Sequence, residues 1–240
     1  HASLPAGVSY DTATQRFSLD PSNAAYQSLS SGESTDVTVS YTVSDGYVEV
    51  PTSVIFTVSG KNDAPVVSGT VQAGSISENA PALDIGLLAN AADIDHLDVV
   101  HVKTGQGAAV TADVTSGTWT APVAFNVVND HLVIDPAQFN SLRAGEAVDI
   151  TFTYQVTDGN KQNVDPTATA HVTIVGANDA PLSIGLSTTH AIDQSTAGTV
   201  VAKLSAVDPD HAETFTYQLL NDQHGLFALS GNNLVVANGA

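Results

Sequence analysis

Cysteine and methionine are both absent from this 240-residue sequence. Without cysteine there is no disulfide framework and no thiolate chemistry. Basic side chains are nearly missing: 6 Lys and Arg stand against 25 Asp and Glu, a formal net charge of −19. Nucleic acids and anionic bilayer surfaces both require clustered Lys and Arg, so neither is expected as a partner. No apolar run approaches the ~18 residues that span a bilayer, so no membrane insertion is expected. The first residues, His1-Ala2-Ser3-Leu4-Pro5, have neither the basic end nor the apolar run of a signal peptide. The chain therefore reads as an internal stretch of something longer.

What is present favours strands. Thr, Val, Ser and Ala dominate, and Gly and Pro punctuate at short intervals. The hydrophobic fraction of 42% is enough for packed cores. A domain is usually about 100–150 residues, so the length allows two domains, or one whole domain with two partial ones. The acid excess has two readings: solubility of a secreted or marine protein, or carboxylates gathered around divalent cations.

A repeat organises the chain. Gly60-Lys61-Asn62-Asp63-Ala64-Pro65 recurs as Gly176-Ala177-Asn178-Asp179-Ala180-Pro181. Upstream of it, Tyr41-Thr42-Val43-Ser44-Asp45-Gly46 recurs as Tyr154-Gln155-Val156-Thr157-Asp158-Gly159. Further upstream, Ser28-Leu29-Ser30-Ser31-Gly32-Glu33 recurs as Ser141-Leu142-Arg143-Ala144-Gly145-Glu146. The matches keep their order and nearly one period, and the small length difference falls around Lys161-Gln162-Asn163. Val37, Val39, Tyr41 and Val43 alternate with polar residues, as do Ile150, Phe152, Tyr154 and Val156. That period of two predicts strands with one buried and one wet face. The Asp-Gly after each predicts a hairpin turn. Val54 to Val58 and His171 to Val175 are the returning strands, and Pro65 and Pro181 mark the crossing into the next unit. The expected boundaries are 1–61 (later part of one unit), 62–177 (a complete unit) and 178–240 (the opening of a third). Thr214-Phe215-Thr216-Tyr217-Gln218 repeats Thr151 to Gln155 literally and is read as a different strand of similar composition.

One constellation points to metal. Asp93-Ile94-Asp95-His96-Leu97-Asp98 and Asp208-Pro209-Asp210-His211-Ala212-Glu213 both read D-x-D-H-x-acid. They lie at the same distance after their Asn-Asp-Ala-Pro. Carboxylates two apart in a loop can converge on a hard cation that takes six to eight oxygens. The plain alternative is a pair of solvated acidic turns. Neither loop is an EF-hand, since the turn glycine is missing and the twelfth positions are Thr104 and Leu219. The eight histidines show no zinc spacing and are read as surface residues. A Ser/His/Asp triad can be assembled from distant positions, but there is no Gly-x-Ser-x-Gly elbow. Trp119, the only tryptophan, is either a ligand platform or a core anchor.

Gly-Glu, then Tyr-x-Val-x-Asp-Gly, then Gly-x-Asn-Asp-Ala-Pro resembles the VCBS-type and cadherin-like repeats of giant bacterial RTX adhesins. The third unit, with Gly198-Thr199-Val200-Val201 and Asp208-Pro209-Asp210, looks more plainly cadherin-like. The resemblance covers essentially the whole chain. It implies an all-β protein of tandem Ig-like or cadherin-like antiparallel sandwiches in a linear array. It also implies Ca2+ between units, with ligands from both sides. At the first junction these are Glu33, Asn62, Asp63, Asp93, Asp95 and Asp158. At the second they are Glu78, Glu146, Asn178, Asp179, Asp208 and Asp210. Glu33 and Glu146 also fit a simple turn before a strand. Asp193-Gln194 stands where the third unit's early glutamate is expected. The implied function is non-enzymatic: an extender segment of a secreted or surface adhesin, extracellular and monomeric, stiffened by calcium. Its partners are the neighbouring units and a cell-surface glycan or protein receptor. The alternatives are a module that itself binds a carbohydrate or protein, and an accessory repeat of a secreted hydrolase.

Overall fold

A computed structural model describes residues 3–105, 108–161, 164–190 and 195–237. Its regular structure is strand, apart from one short 3₁₀ turn, so the protein is all-β. Strands β1 (Val8–Asp11) and β2 (Arg16–Leu19) form a small antiparallel hairpin. Strands β3 (Ser34–Ser44) and β4 (Glu49–Ser59) form a long one. Asp45-Gly46 turns it: Gly46 takes φ +92°, and Asp45 Oδ1 accepts from Tyr47 N and Val48 N, both at 2.9 Å. Tyr26, Val37 and Val58 make a small core under these hairpins.

The middle of the chain is a sandwich. Its strands are β5 (Val66–Val67), β6 (Val71–Ser77), β7 (Leu83–Gly86), β8 (Ala91–Ala92), β9 (His101–Val102), β10 (Thr111–Ser116), β11 (Phe125–Val128), β12 (His131–Ile134), β13 (Ala147–Thr157) and β14 (Thr167–Val175). One sheet runs β10-β13-β14-β6, with β9 against the end of β13. The other runs β11-β12-β7. The alternation read from the sequence decides what is inside. Val148, Ile150, Phe152, Tyr154 and Val156 of β13 are all 2% exposed or less. They pack with Ile85, Leu87, Leu132 and Ile134 of the facing layer into one core. Asp135 caps the 3₁₀ turn Pro136–Phe139, which carries Phe139 into that core.

Tyr154 ties the two layers. Its hydroxyl donates to Leu87 O at 2.6 Å, and burial pushes its pKa up to about 12. Tyr154→Phe leaves that buried carbonyl without its donor. It should lower unfolding free energy by about 1–3 kcal/mol, measured by urea titration. A neutral result would mean that water replaces the bond.

The hairpin β13–β14 duplicates β3–β4. Both β3 and β13 have 11 residues, and Thr42 faces Pro51 as Gln155 faces Thr167. The longer loop of the second copy contains Gln162 and Asn163, which lie outside the described residues. Ahead of the hairpins, β1–β2 and Tyr26 precede β3 as β11–β12 and Phe139 precede β13.

The rest of the chain forms one sheet. Its strands are β15 (Ser183–Leu186), β16 (Val200–Val207), β17 (Phe227–Ser230) and β18 (Asn233–Val236), in the order β15-β16-β18-β17. Ala202 and Val236 are its buried hydrophobics among the described residues. Thr214–Gln218, expected as a strand, is not one. Its literal counterpart Thr151–Gln155 lies within β13, which β14 pairs on one side and β10 and β9 on the other. No described strand pairs with 214–218. Side-chain propensity does not make a strand where no neighbouring backbone supplies hydrogen bonds.

Candidate acidic metal sites at the two crossings

The chain crosses from β4 to β5 through Gly60–Pro65 and from β14 to β15 through Gly176–Pro181. Each crossing starts at a glycine for a steric reason. A Cβ on Gly60 would lie 2.3 Å from the carbonyl oxygens of Leu29 and Ser30. One on Gly176 would lie 2.3 Å from Arg143 O. The absent side chain lets the turn carrying Glu33, or Glu146, lie against the crossing. Gly60 N then donates to Glu33 O and Gly176 N to Glu146 O, both at 2.9 Å.

The D-x-D-H loops meet these crossings in the same way twice. Asp93 Oδ1 accepts from Asp95 N, and Asp208 Oδ1 from Asp210 N, each at 3.0 Å. This two-residue side-chain turn fixes the loop. Asp95 Oδ2 accepts from Asp63 N at 2.7 Å, and Asp210 Oδ2 from Asp179 N at 2.9 Å. The backbone of Asn-Asp is thereby tied to the loop about 30 residues later.

The histidines clasp the other side. His96 N donates to Ser28 O and His211 N to Ser141 O, both at 3.2 Å. Each ring Nδ1 also lies against that same carbonyl. A carbonyl only accepts, so Nδ1 carries the proton in both rings. The rings stand 3.4 Å from Glu33 and Glu146 carboxylate oxygens. These glutamates also accept from Ser30 N at 2.8 Å and Arg143 N at 3.0 Å, so they close turns as well as face the crossing. The histidines are exposed, as expected, yet they are engaged. His96→Ala should lower the melting free energy by about 1 kcal/mol or less, because the bond is exposed. A drop of several kcal/mol in calorimetry would give this clasp a structural weight its exposure does not suggest.

The first crossing gathers carboxylates. One oxygen from each of Asp93, Asp95 and Asp98 lies within 4.8 Å of the others. Asp95 is 2% exposed, and Asp95 Oδ1 and Asp93 Oδ2 are shielded from solvent without a hydrogen-bond partner. Asn62, itself buried, donates from Nδ2 to Asp158 Oδ2 at 2.7 Å and accepts at Oδ1 from Asn160 Nδ2 at 2.7 Å. Burial raises the pKa of Asp98, and the charges of Asp95, Asp93, Asp158 and Glu33 raise it further.

The second crossing does the same with a partly different set. Glu78, Asp179 and Asp210 lie within 4.8 Å of one another by one oxygen each. Glu78 is 0% exposed, and its Oε1 accepts from Ala177 N at 2.7 Å. Glu78 Oε2, Asp179 Oδ2 and Asp210 Oδ1 are shielded and have no hydrogen-bond partner. Burial raises the pKa of Glu78, with Asp179 and Asp210 adding to it against the Ala177 N–H. Asn178 is exposed and donates from Nδ2 to Asp179 O at 2.7 Å.

All twelve residues read from the sequence thus lie at one crossing or the other, but in different roles. Asp63 and Asp179 both contribute a backbone N–H, and Asp179 also brings a carboxylate to its cluster. Asp158 accepts from Asn62 and from Asn160 N, at 2.7 Å and 2.6 Å. Asp193-Gln194 lies outside the described residues. Asp98 was missed as a site residue although the acidic pattern contained it. Its counterpart Glu213 instead approaches Arg143 Nε at 3.9 Å. Asn160 and Asn79 were missed too, and Asn79 Nδ2 donates to Asp179 Oδ1 at 3.2 Å.

Unpartnered buried carboxylate oxygens are costly, and several together repel. A cation among them removes both penalties. The donors are all oxygens, which suits a hard cation such as calcium or magnesium. Among the described residues these two are the groupings of three or more such side chains. Also among them, no helix is long and apolar enough to cross a membrane.

No protein-family model and no curated protein sequence matches the chain. Solved structures do. A crystal structure of protocadherin gamma C5 EC1-3 is 16% identical, with TM-score 0.47, over 98% of this chain and 76% of that one. Mouse clustered PcdhgC3 EC1-3 is 18% identical, with TM-score 0.42, over 97% and 75%. The human desmocollin-1 ectodomain is 16% identical, with TM-score 0.32, over 82% and 38%. Values this low establish neither membership of that family nor a shared function. The all-β architecture stands on the chain's own sheets.

Proposed function

We propose that this chain is a non-enzymatic extender of a secreted or surface adhesin, built from tandem β-sandwich units whose crossings are set by calcium. The units are 1–61, 62–177 and 178–240, and they resemble VCBS-type and cadherin-like repeats. The observation that carries this reading is the pair of carboxylate clusters with shielded, unpartnered oxygens at equivalent crossings. Without calcium the carboxylates repel and each crossing hinges. With calcium the charge is bridged and the angle is fixed. Extracellular modules bind calcium with Kd of about 10⁻⁴–10⁻³ M, and the proposed working environment is likewise outside the cell.

The double variant Asp93→Asn, Asp95→Asn tests the reading. It removes charge with little change in volume. Small-angle scattering in calcium should show a broader spread of dimensions than the parent, with the strand signal in circular dichroism retained. Unfolding of the variant would assign these aspartates to a core and not to a crossing.

A further inference from the structure

A cavity of about 290 Å³ opens beside the second crossing. Trp119 and Leu142 give it apolar walls, and Thr118, Thr120 and Ser141 bring hydroxyls. His211 closes it from the segment that follows the crossing. The indole of Trp119 packs on Phe139 with ring centroids 4.7 Å apart, so the platform is held by the core. Trp119 Nε1 is shielded from solvent, so it is the ring of Trp119 and not its N–H that the cavity offers to a ligand. His211 is held in place by its contacts to Ser141 O and Glu146.

We propose that this cavity binds a single neutral sugar residue, such as the exposed end of a glycan. The lining selects that chemistry by exclusion. No Lys or Arg lines it, and the chain carries a net charge of −19, so phosphate, sulfate and carboxylate ligands are disfavoured. A wholly apolar ligand would leave the three hydroxyls unmatched. A pyranose presents C–H groups on one face for the indole and hydroxyls around its rim for Thr118, Thr120 and Ser141. The cavity is at the small end of ligand pockets, which fits one ring and not an extended peptide. This proposal stands whether or not the crossing binds calcium.

Trp119 is the only tryptophan, so its fluorescence and its indole N–H resonance report on this cavity alone. The full chain is titrated with glucose, galactose, mannose, fucose, N-acetylglucosamine and N-acetylgalactosamine. At least one should shift the emission or the resonance saturably, with half-saturation on the order of 1 mM. Glucuronate should not. Ala121 lines the cavity and is exposed, so Ala121→Phe narrows it without entering the core. That variant should melt like the parent and weaken the sugar response roughly tenfold or more. No saturable response to any of the neutral sugars, an equal response to glucuronate, or an unchanged response in Ala121→Phe would each overturn the proposal.

Discussion

Calcium at about 10 mM is expected to raise the melting temperature of the chelator-stripped chain by about 6–20 °C. Mass action sets the size of this rise. A ligand that binds only the folded state stabilises it by RT ln(1 + [L]/Kd). With Kd of about 10⁻⁴–10⁻³ M this is about 1.4–2.7 kcal/mol per site. There are two crossings, and a chain of this size gains about 2–4 °C per kcal/mol. Each cluster is partly or wholly buried, so the folded geometry is what gathers the oxygens. The unfolded chain scatters Asp93, Asp95 and Asp98 into water and binds weakly. Magnesium at the same concentration should give a much smaller rise. Coincident melts in chelator, magnesium and calcium would remove the calcium reading.

The second large effect changes sign with calcium. Glu78→Gln keeps the side chain's shape in a site that is 0% exposed. In chelator, the wild-type carboxylate is buried beside Asp179 and Asp210, which destabilises its charged form. The amide removes that charge and can donate to the neighbouring oxygens. In chelator the variant should therefore melt about 2–12 °C above wild type, about 1–3 kcal/mol more stable. In calcium the order should reverse or close, because one of the two crossings has lost a charged ligand. The calcium-induced rise should fall to roughly half. A variant that melts lower than wild type in chelator would mean that Glu78 is stabilised by partners other than a cation.

The same groups set the pH dependence without calcium. Glu78 and Asp98 are raised above the ordinary carboxylate range, in both cases first by burial. A carboxyl with a raised folded pKa holds its proton more tightly folded than unfolded. Between the two pKa values the folded state binds more protons, so stability falls as pH rises through that window. In chelator the chain should gain stability as pH drops from neutral toward the carboxylate range. In calcium the trend should invert, because protons compete with the ion.

Much of this was legible from residue order alone. The alternation of Ile150, Phe152, Tyr154 and Val156 predicts the central strand, because a buried sheet face and a wet one impose a period of two on any sequence. The duplicated hairpins followed from the repeat. The acidic loops were legible as loops, but not the way they are held. The acceptors of His96 and His211 are backbone carbonyls of Ser28 and Ser141, and a carbonyl carries no sequence signature. Asp98 belongs to the acidic pattern, but the resemblance to known repeats implies only the first two acids of the loop as ligands. Its environment, crowded by Asp95, Asp93, Asp158 and Glu33, exists only after folding. Thr214–Gln218 failed for the opposite reason, since its composition was right and its neighbours were not. Trp119 packs on Phe139 as a core anchor does, and it also lines a cavity.

The most direct measurement is a crystal structure of the chain grown in millimolar calcium, with anomalous scattering collected to locate the ions. The account predicts peaks at both crossings, with carboxylate oxygens about 2.3–2.6 Å away. Those oxygens should come from Asp93, Asp95 and Asp98 at one crossing and from Glu78, Asp179 and Asp210 at the other. Clusters closed by water and shared protons, with no anomalous peak at either crossing, would contradict it.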